Sequence, residues 1–226
     1  MKNENSIKRQ TIILCSYAAV YVIVSLLSPR LSFLRHTPLS LWIQAINYMF
    51  LGIVGLIAFR DIIQEGIRQW RLSAVKNLLW LIGAFLADII LGTLASLPLA
   101  VFYPDYVSVN DSSVMDAAAI LPFPILLIAF GILGPVTEEF MFRIIPVEKG
   151  KRIHVVLRII VSSFLFMAIH MHDITLQELL YNLGMFVTGI IYSVTLIQTK
   201  NATIPILIHV LNNAPALMLL LLANSS

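Results

Sequence analysis

Runs of apolar residues about as long as a membrane is thick dominate the chain. Seven can be read: Thr11–Ser28, Leu39–Phe59, Leu78–Phe102, Ala117–Val147, Val155–Met171, Leu179–Gln198 and Thr203–Ala223. Most fall in the range of roughly 17–25 residues that carries a helix across a hydrocarbon core of about 30 Å. The fourth is longer and is interrupted by Gly131, Gly134 and Pro135. Such residues are tolerated in a spanning helix where neighbouring protein satisfies the freed backbone groups. The first run follows a basic start, Lys2, Lys8 and Arg9. It is too long for the apolar part of a secretory signal and no small-x-small cleavage pattern follows, so it reads as a retained helix. Between the second and third runs, Asp61–Asn77 mixes Ile62, Ile63, Ile67, Trp70 and Leu72 with Arg68, Arg71 and Lys76. This fits an amphipathic cytoplasmic helix lying on the inner leaflet, or a connector held by its neighbours. A re-entrant piece between His170 and Leu179 is also compatible with the pattern. With no repeat, low-complexity tract or dividing linker, residues 1–226 are expected to form a single polytopic membrane domain.

Composition sharpens this picture. Of the 226 residues 59% are hydrophobic and 12% charged, with a mean hydropathy of +0.90. Soluble domains carry roughly 25% charged residues, so a soluble globular protein and a disordered chain are both excluded. An outer-membrane barrel is excluded too, because its strands would alternate apolar and polar positions. The net charge of +3 and the pI near 9.1 report membrane topology rather than a nucleic-acid partner. With the N-terminus inside, Lys2, Lys8, Arg9, Arg60, Arg68, Arg71, Lys76, Lys149, Lys151, Arg152, Arg158 and Lys200 are cytoplasmic, which is 12 of the 15 basic residues. Only Arg30 and Arg35 lie outside, and the outer loops Tyr103–Asp116 and His172–Glu178 carry five acids and no Lys or Arg. The expected fold is an all-α integral membrane protein of about seven helices, a conical bundle around a central cavity, N-in and C-out. Cys15 is the only cysteine, so no intrachain disulfide forms.

Ionisable groups within hydrocarbon are costly and persist where they have partners or a task. Here they are Asp88, Glu138, Glu139, Arg143, His170 and His209, with Asn213 beside the last. Glu139 and Arg143 are four apart and share a helix face, so they are expected to pair. Glu138 points about 100° away and is left as the unpaired carboxylate. His209 and Asn213 are also four apart, which puts an imidazole and an amide in one cavity. Asn212 faces elsewhere and reads as an interhelical hydrogen-bonding group. His170 closes the fifth run, one turn after Phe166. At 1.5 Å per residue, Glu139, His170 and His209 each lie roughly 14–18 Å from a basic residue of the inner surface. That common level favours one shared site near mid-membrane, reachable from the cytoplasm. Asp88 reads as a buried structural acid, His36 and His154 as interfacial, and His172 begins a loop and has no role in the site.

Together, Glu138-Glu139-x-x-x-Arg143, Phe166-x-x-x-His170 and His209-x-x-x-Asn213 on successive helices resemble the motif set of the CAAX protease and bacteriocin-processing (CPBP) family of intramembrane proteases. The resemblance covers about Phe130–Leu219, within a catalytic core of 117–219. It implies that Glu138 with His170 activates a water for attack on a peptide bond. It implies further that His209 and Asn213 stabilise the oxyanion, with Glu139 in the catalytic group and Arg143 and Phe166 in support. Carboxylate bases and aimed donors are what amide hydrolysis needs. Glu138, His170 and His209 would be the ligands if zinc is bound, although no His-Glu-x-x-His is present and Asn is a poor zinc ligand. The leading reading is an endopeptidase of a bacterial cytoplasmic membrane that processes a peptide precursor or bacteriocin-like substrate, taken from the membrane or the cytoplasmic side. Its partners are that peptide and membrane lipids, with no nucleic acid. The competing readings are a non-catalytic bacteriocin-immunity or regulatory protein and a small transporter with a proton relay through Asp88, Glu138 and His170. Neither Gly-x-Ser-Gly nor Gly-x-Gly-Asp occurs, so rhomboid-type serine and aspartyl chemistries are excluded.

Overall fold

The computed structural model describes residues 12, 15–23, 37–147, 152–171 and 173–224. They form helices and short connections, with no strand among the described residues. The helices, in chain order, are α1 (15–23), α2 (Pro38–Ala58), α3 (Arg60–Leu72), α4 (Ala74–Phe102), α5 (Val109–Ile120), α6 (Phe123–Val147), α7 (Arg152–His170), α8 (Leu176–Thr199) and α9 (Thr203–Asn224). Five of them, α2, α4, α6, α8 and α9, are long and apolar enough to cross a membrane, and α7 adds the shorter apolar run His154–His170. The chain is thus a multi-pass membrane protein. Of the first apolar run, Thr11–Ser28, residues 12 and 15–23 are described, the latter as α1; the remainder lies outside the described residues.

Local chemistry sets the boundaries. Thr37 caps α2 by accepting from the Ser40 amide at 3.3 Å, with Pro38 in the first turn where its missing N–H costs nothing. Ser108 caps α5 by accepting from Asp111 N at 3.0 Å. Thr175 does the same for α8 through Glu178 N at 3.2 Å. Three expectations are corrected here. The long run Ala117–Val147 is two helices, because Leu121 takes an extended conformation ahead of Pro122, as a residue before proline prefers. The outer loop Tyr103–Asp116 accordingly contains the start of α5. The amphipathic segment ends at Leu72, because Ser73 leaves helical geometry and Ala74–Asn77 open α4. Between His170 and Leu176 the described residues form a short turn rather than a re-entrant helix.

Of the two readings of the segment Asp61–Asn77, the contacts favour one held by its neighbours. Gly66 of α3 lies so close to the α8–α9 turn that an added Cβ would sit 2.6 Å from both Asn201 Oδ1 and Thr203 Cγ2. Asn201 Nδ2 donates to the Gly66 carbonyl at 3.2 Å, and Trp70 Nε1 donates to Thr203 Oγ1 at 2.9 Å. At the other end α5 is pinned to α8. Buried Glu178 accepts from Tyr106 OH at 2.6 Å and from Val109 N at 3.0 Å, and Tyr181 donates to Asp111 Oδ1 at 2.7 Å. Burial and the Glu178 carboxylate push the Tyr106 phenol up to about 12, so it stays a donor at ordinary pH.

The central element is α6. In its most apolar window 67% of the residues are buried, against 11% in α4, so α6 is the interior helix and α4 faces lipid. It packs against α2, α7 and α9, while α8 lies between α4 and α7. Two stretches of α6, Leu127–Leu133 and Phe140–Ile144, are π-helical. Such turns often mark functional segments. Here they flank Gly134–Glu139, the α-helical turn that carries the two glutamates.

Candidate active site

Glu138 and Glu139 leave α6 on different sides, as adjacent helical residues must. Glu139 Oε2 lies 3.5 Å from Arg143 Nε, so the expected pair forms, wholly inside the protein. Arg143 is 0% exposed and its guanidinium nitrogens find no hydrogen-bond partner among the described residues. The faces of Phe166, 4.1 Å from the guanidinium carbon, and Tyr192, 5.5 Å away, supply the rest of its environment. A weakly hydrated planar cation suits such a sandwich. Glu139 also accepts from His209, whose Nδ1 is 3.1 Å from Oε1. An ordered chain therefore runs from Arg143 through Glu139 to His209.

Glu138 faces the other way, into a cavity of about 740 Å³. Its Oε2 lies 3.6 Å from His209 Nε2 and 4.0 Å from His170 Nε2. These separations are too long for direct hydrogen bonds, and polar groups at such distances are commonly bridged by water. His170 Nδ1 is 2.7 Å from the Phe166 carbonyl. A carbonyl only accepts, so Nδ1 carries a proton there, and a neutral ring leaves Nε2 as an acceptor facing Glu138. Phe166 packs edge-on against both imidazoles, with centroids 4.7 Å from His170 and 5.9 Å from His209. Asn213 lines the same cavity, its Nδ2 in a long 3.5 Å contact with the Phe130 carbonyl. The structure therefore brings Glu138, His170, His209, Asn213 and Phe166 to one cavity wall. Glu139 and Arg143 lie behind His209.

One expectation changes. Glu138 is not without a partner, because Tyr48 of α2 donates to its Oε1 at 2.9 Å. The signal was present in the second apolar run: Ser40, Gln44, Asn47 and Tyr48 repeat at helical spacing, and all line the cavity. Asp88, which the sequence alone marks as a structural acid, also lines the cavity with Thr188, Tyr192 and Asn212. The described lining extends from Glu138 towards α5, the first half of α2 and the ends of α7 and α9. None of it comes from α3 or the Lys200 turn. Zinc would need three ligands converging on one point at about 2.0–2.2 Å. Among the described residues no group of three or more His, Cys, Asp or Glu is disposed to hold a metal. His209 turns its two nitrogens to two different carboxylates.

The family model for type II CAAX prenyl endopeptidase Rce1-like proteins matches residues 120–215, which contain Glu138, Glu139, Arg143, Phe166, His170, His209 and Asn213. A protein of Bacillus subtilis (strain 168) named "Putative membrane peptidase YdiL" is 28% identical over 177 residues, 77% of this chain and 69% of its own. No solved structure matches. Over residues 120–215 the chain is thus similar to Rce1-like CAAX prenyl endopeptidases. These findings point to a membrane peptidase.

Proposed function

We propose that the chain is an intramembrane endopeptidase in which Glu138 is the general base. The observation that carries this reading is the placement of Glu138 Oε2 opposite two imidazole nitrogens, at 3.6 and 4.0 Å, on the wall of a cavity. A water that donates one O–H to Glu138 and the other to His170 Nε2 turns its lone pairs towards the cavity. Its oxygen attacks the scissile carbonyl carbon while Glu138 takes a proton. The oxyanion that forms accepts from Asn213 Nδ2 and from His209 Nε2. In this scheme His209 donates from both ring nitrogens, Nδ1 to Glu139 and Nε2 to the oxyanion. The carbon–nitrogen bond then breaks as Glu138 returns its proton to the departing amine. The residues that line the cavity support approach of a peptide segment from the α5 end. With the N-terminus inside, that end faces away from the cytoplasm. The substrate class is a peptide precursor or bacteriocin-like peptide of a bacterium, which suits a catalytic unit held within the membrane.

The test is cleavage of a fluorogenic peptide library by purified protein in detergent. Glu138→Gln keeps the shape and removes the base, so it should fold normally and lose at least ~10²-fold activity. His170→Ala and His209→Ala should be comparably inactive and add little to Glu138→Gln, because residues acting as a unit are non-additive. Treatment with EDTA should leave the rate unchanged. A loss that zinc restores would replace the water-activation scheme with a metal-dependent one. Near wild-type cleavage by Glu138→Gln would overturn the mechanism.

A further inference from the structure

The proposed chemistry uses side chains from α6, α7 and α9, yet a second buried polar cluster reaches the same site from α4. Asp88, 5% exposed, accepts from Thr188 Oγ1 at 2.6 Å, Tyr192 OH at 2.9 Å and Asn212 Nδ2 at 2.5 Å. Asn212 Nδ2 also lies 2.7 Å from the Tyr192 hydroxyl oxygen, which closes a triangle between α4, α8 and α9. Asp88 has no ion pair with Lys, Arg or His among the described residues, so neutral donors hold it. A carboxylate at this depth carries an insertion cost that an amide or an alkyl group would not. Its retention calls for a return beyond joining helices.

That return lies in what its partners touch. Tyr192, 0% exposed, stacks on His209 with ring centroids 5.5 Å apart at 52°, and its face also meets Arg143. Asn212 sits three residues after His209 and next to Asn213. Fixing Asn212 therefore fixes the rotation of the stretch of α9 that presents both groups assigned to the oxyanion. Asp88 and α4 lie outside residues 120–215, so the matched segment alone does not contain this control.

We propose that Asp88 is a positioning residue of the peptidase site: through Tyr192 and Asn212 it sets the orientation of His209 and Asn213. The inference rests on the peptidase reading given above. It concerns geometry made before any substrate arrives, and misplacing a catalytic group by about 1 Å can cost on the order of 10²-fold in rate.

The test exchanges the two polar partners. Asp88→Asn and Asn212→Asp each break the match, the first by leaving two amides and the second by opposing two carboxylates. The exchange variant Asp88→Asn/Asn212→Asp restores one carboxylate and one amide across the same gap. Each single variant should lower kcat at least about tenfold with KM within about twofold, and the exchange variant should recover most of the loss. Tyr192→Phe keeps the ring, removes both hydroxyl contacts and should show the same split between kcat and KM. A second readout needs no activity: in protein labelled with 13C-histidine, the His209 ring signal, assigned with His209→Gln, should move in the single variants and return in the exchange variant. Unchanged kcat with an unmoved His209 signal in both single variants would overturn the proposal. So would an exchange variant no better than the singles. If wild-type protein cleaves no peptide, the peptidase reading falls, and the His209 signal alone decides the role of Asp88.

Discussion

Arg143 heads the fully buried side chains by size, and its charge is balanced by one carboxylate and two ring faces rather than by a hydrogen-bond network. Removing it leaves Glu139 buried without its cation, a change that costs about 3–5 kcal/mol where buried pairs have been broken. Arg143→Ala should therefore reduce folded yield and thermal stability together with activity, measured by size-exclusion chromatography and melting in detergent. Arg143→Lys should recover little, because an ammonium does not stack flat between Phe166 and Tyr192. Tyr48 makes the opposite case. Its hydroxyl sits on the cavity side of Glu138, and Tyr48→Phe removes one hydrogen bond to a carboxylate, worth about 1.5–3 kcal/mol when the acceptor is charged. Folded yield should be unchanged and kcat should fall by about tenfold or more. In a Glu138→Gln background the same change should have almost no further effect. A full additive loss there would show that Tyr48 acts on something other than Glu138.

At the scale of elements, the site depends on how closely helices approach. Gly189 of α8 faces Ser163 of α7, where an added Cβ would lie 2.7 Å from the serine Cβ and 2.8 Å from its Cα. Small residues allow such backbone proximity between membrane helices. It places Tyr192, one turn beyond Gly189, against His209 and Arg143. The neighbouring Ser162 grips α6, because its Oγ donates to the Phe142 carbonyl within the second π-helical stretch. Gly189→Val should force α7 and α8 apart and cost about 1–3 kcal/mol in detergent unfolding. Activity should fall further than that stability loss alone explains, because His170 and Tyr192 ride on the separated helices. The π-helical stretches of α6 serve the same end. Each sets the phase of the turn between them, so that Glu138 meets the cavity while Glu139 meets Arg143 and His209.

The whole molecule combines a lipid-facing outer helix, α4, with an interior one, α6, and lines one end of the cavity with α5. From the charge asymmetry, α3 and the Lys200 turn are expected inside and α5 outside by the positive-inside rule. With Cys15 replaced, single cysteines at Arg71 and Asp105, both exposed, should react with an impermeant thiol reagent from opposite sides of the membrane. Labelling from one side would overturn N-in topology, and with it the outward-facing approach to Glu138.

Much of the catalytic wall was legible in the residues themselves. Charges in hydrocarbon are rare enough to be conspicuous, and spacings of four on a helix fix which of them share a face, so Glu139–Arg143, Phe166–His170 and His209–Asn213 could be paired without coordinates. Five helices long enough to cross a membrane follow from hydropathy for the same reason: a bilayer demands long apolar runs. What spacing does not encode is the contact between runs far apart in the chain. Tyr48 reaches Glu138 across 90 residues, Asp88 meets Asn212 across 124, and Asn201 seats Gly66 across 135. Nor does hydropathy mark the break at Leu121–Pro122, since residues on both sides of it are apolar. Periodicity orients a side chain about its own helix axis, and only packing decides which helix stands opposite. The sequence therefore determined the membrane class and the motif-bearing wall. Tertiary structure decided that Glu138 is held by Tyr48, that Asp88 braces His209, and that the cavity extends towards α5.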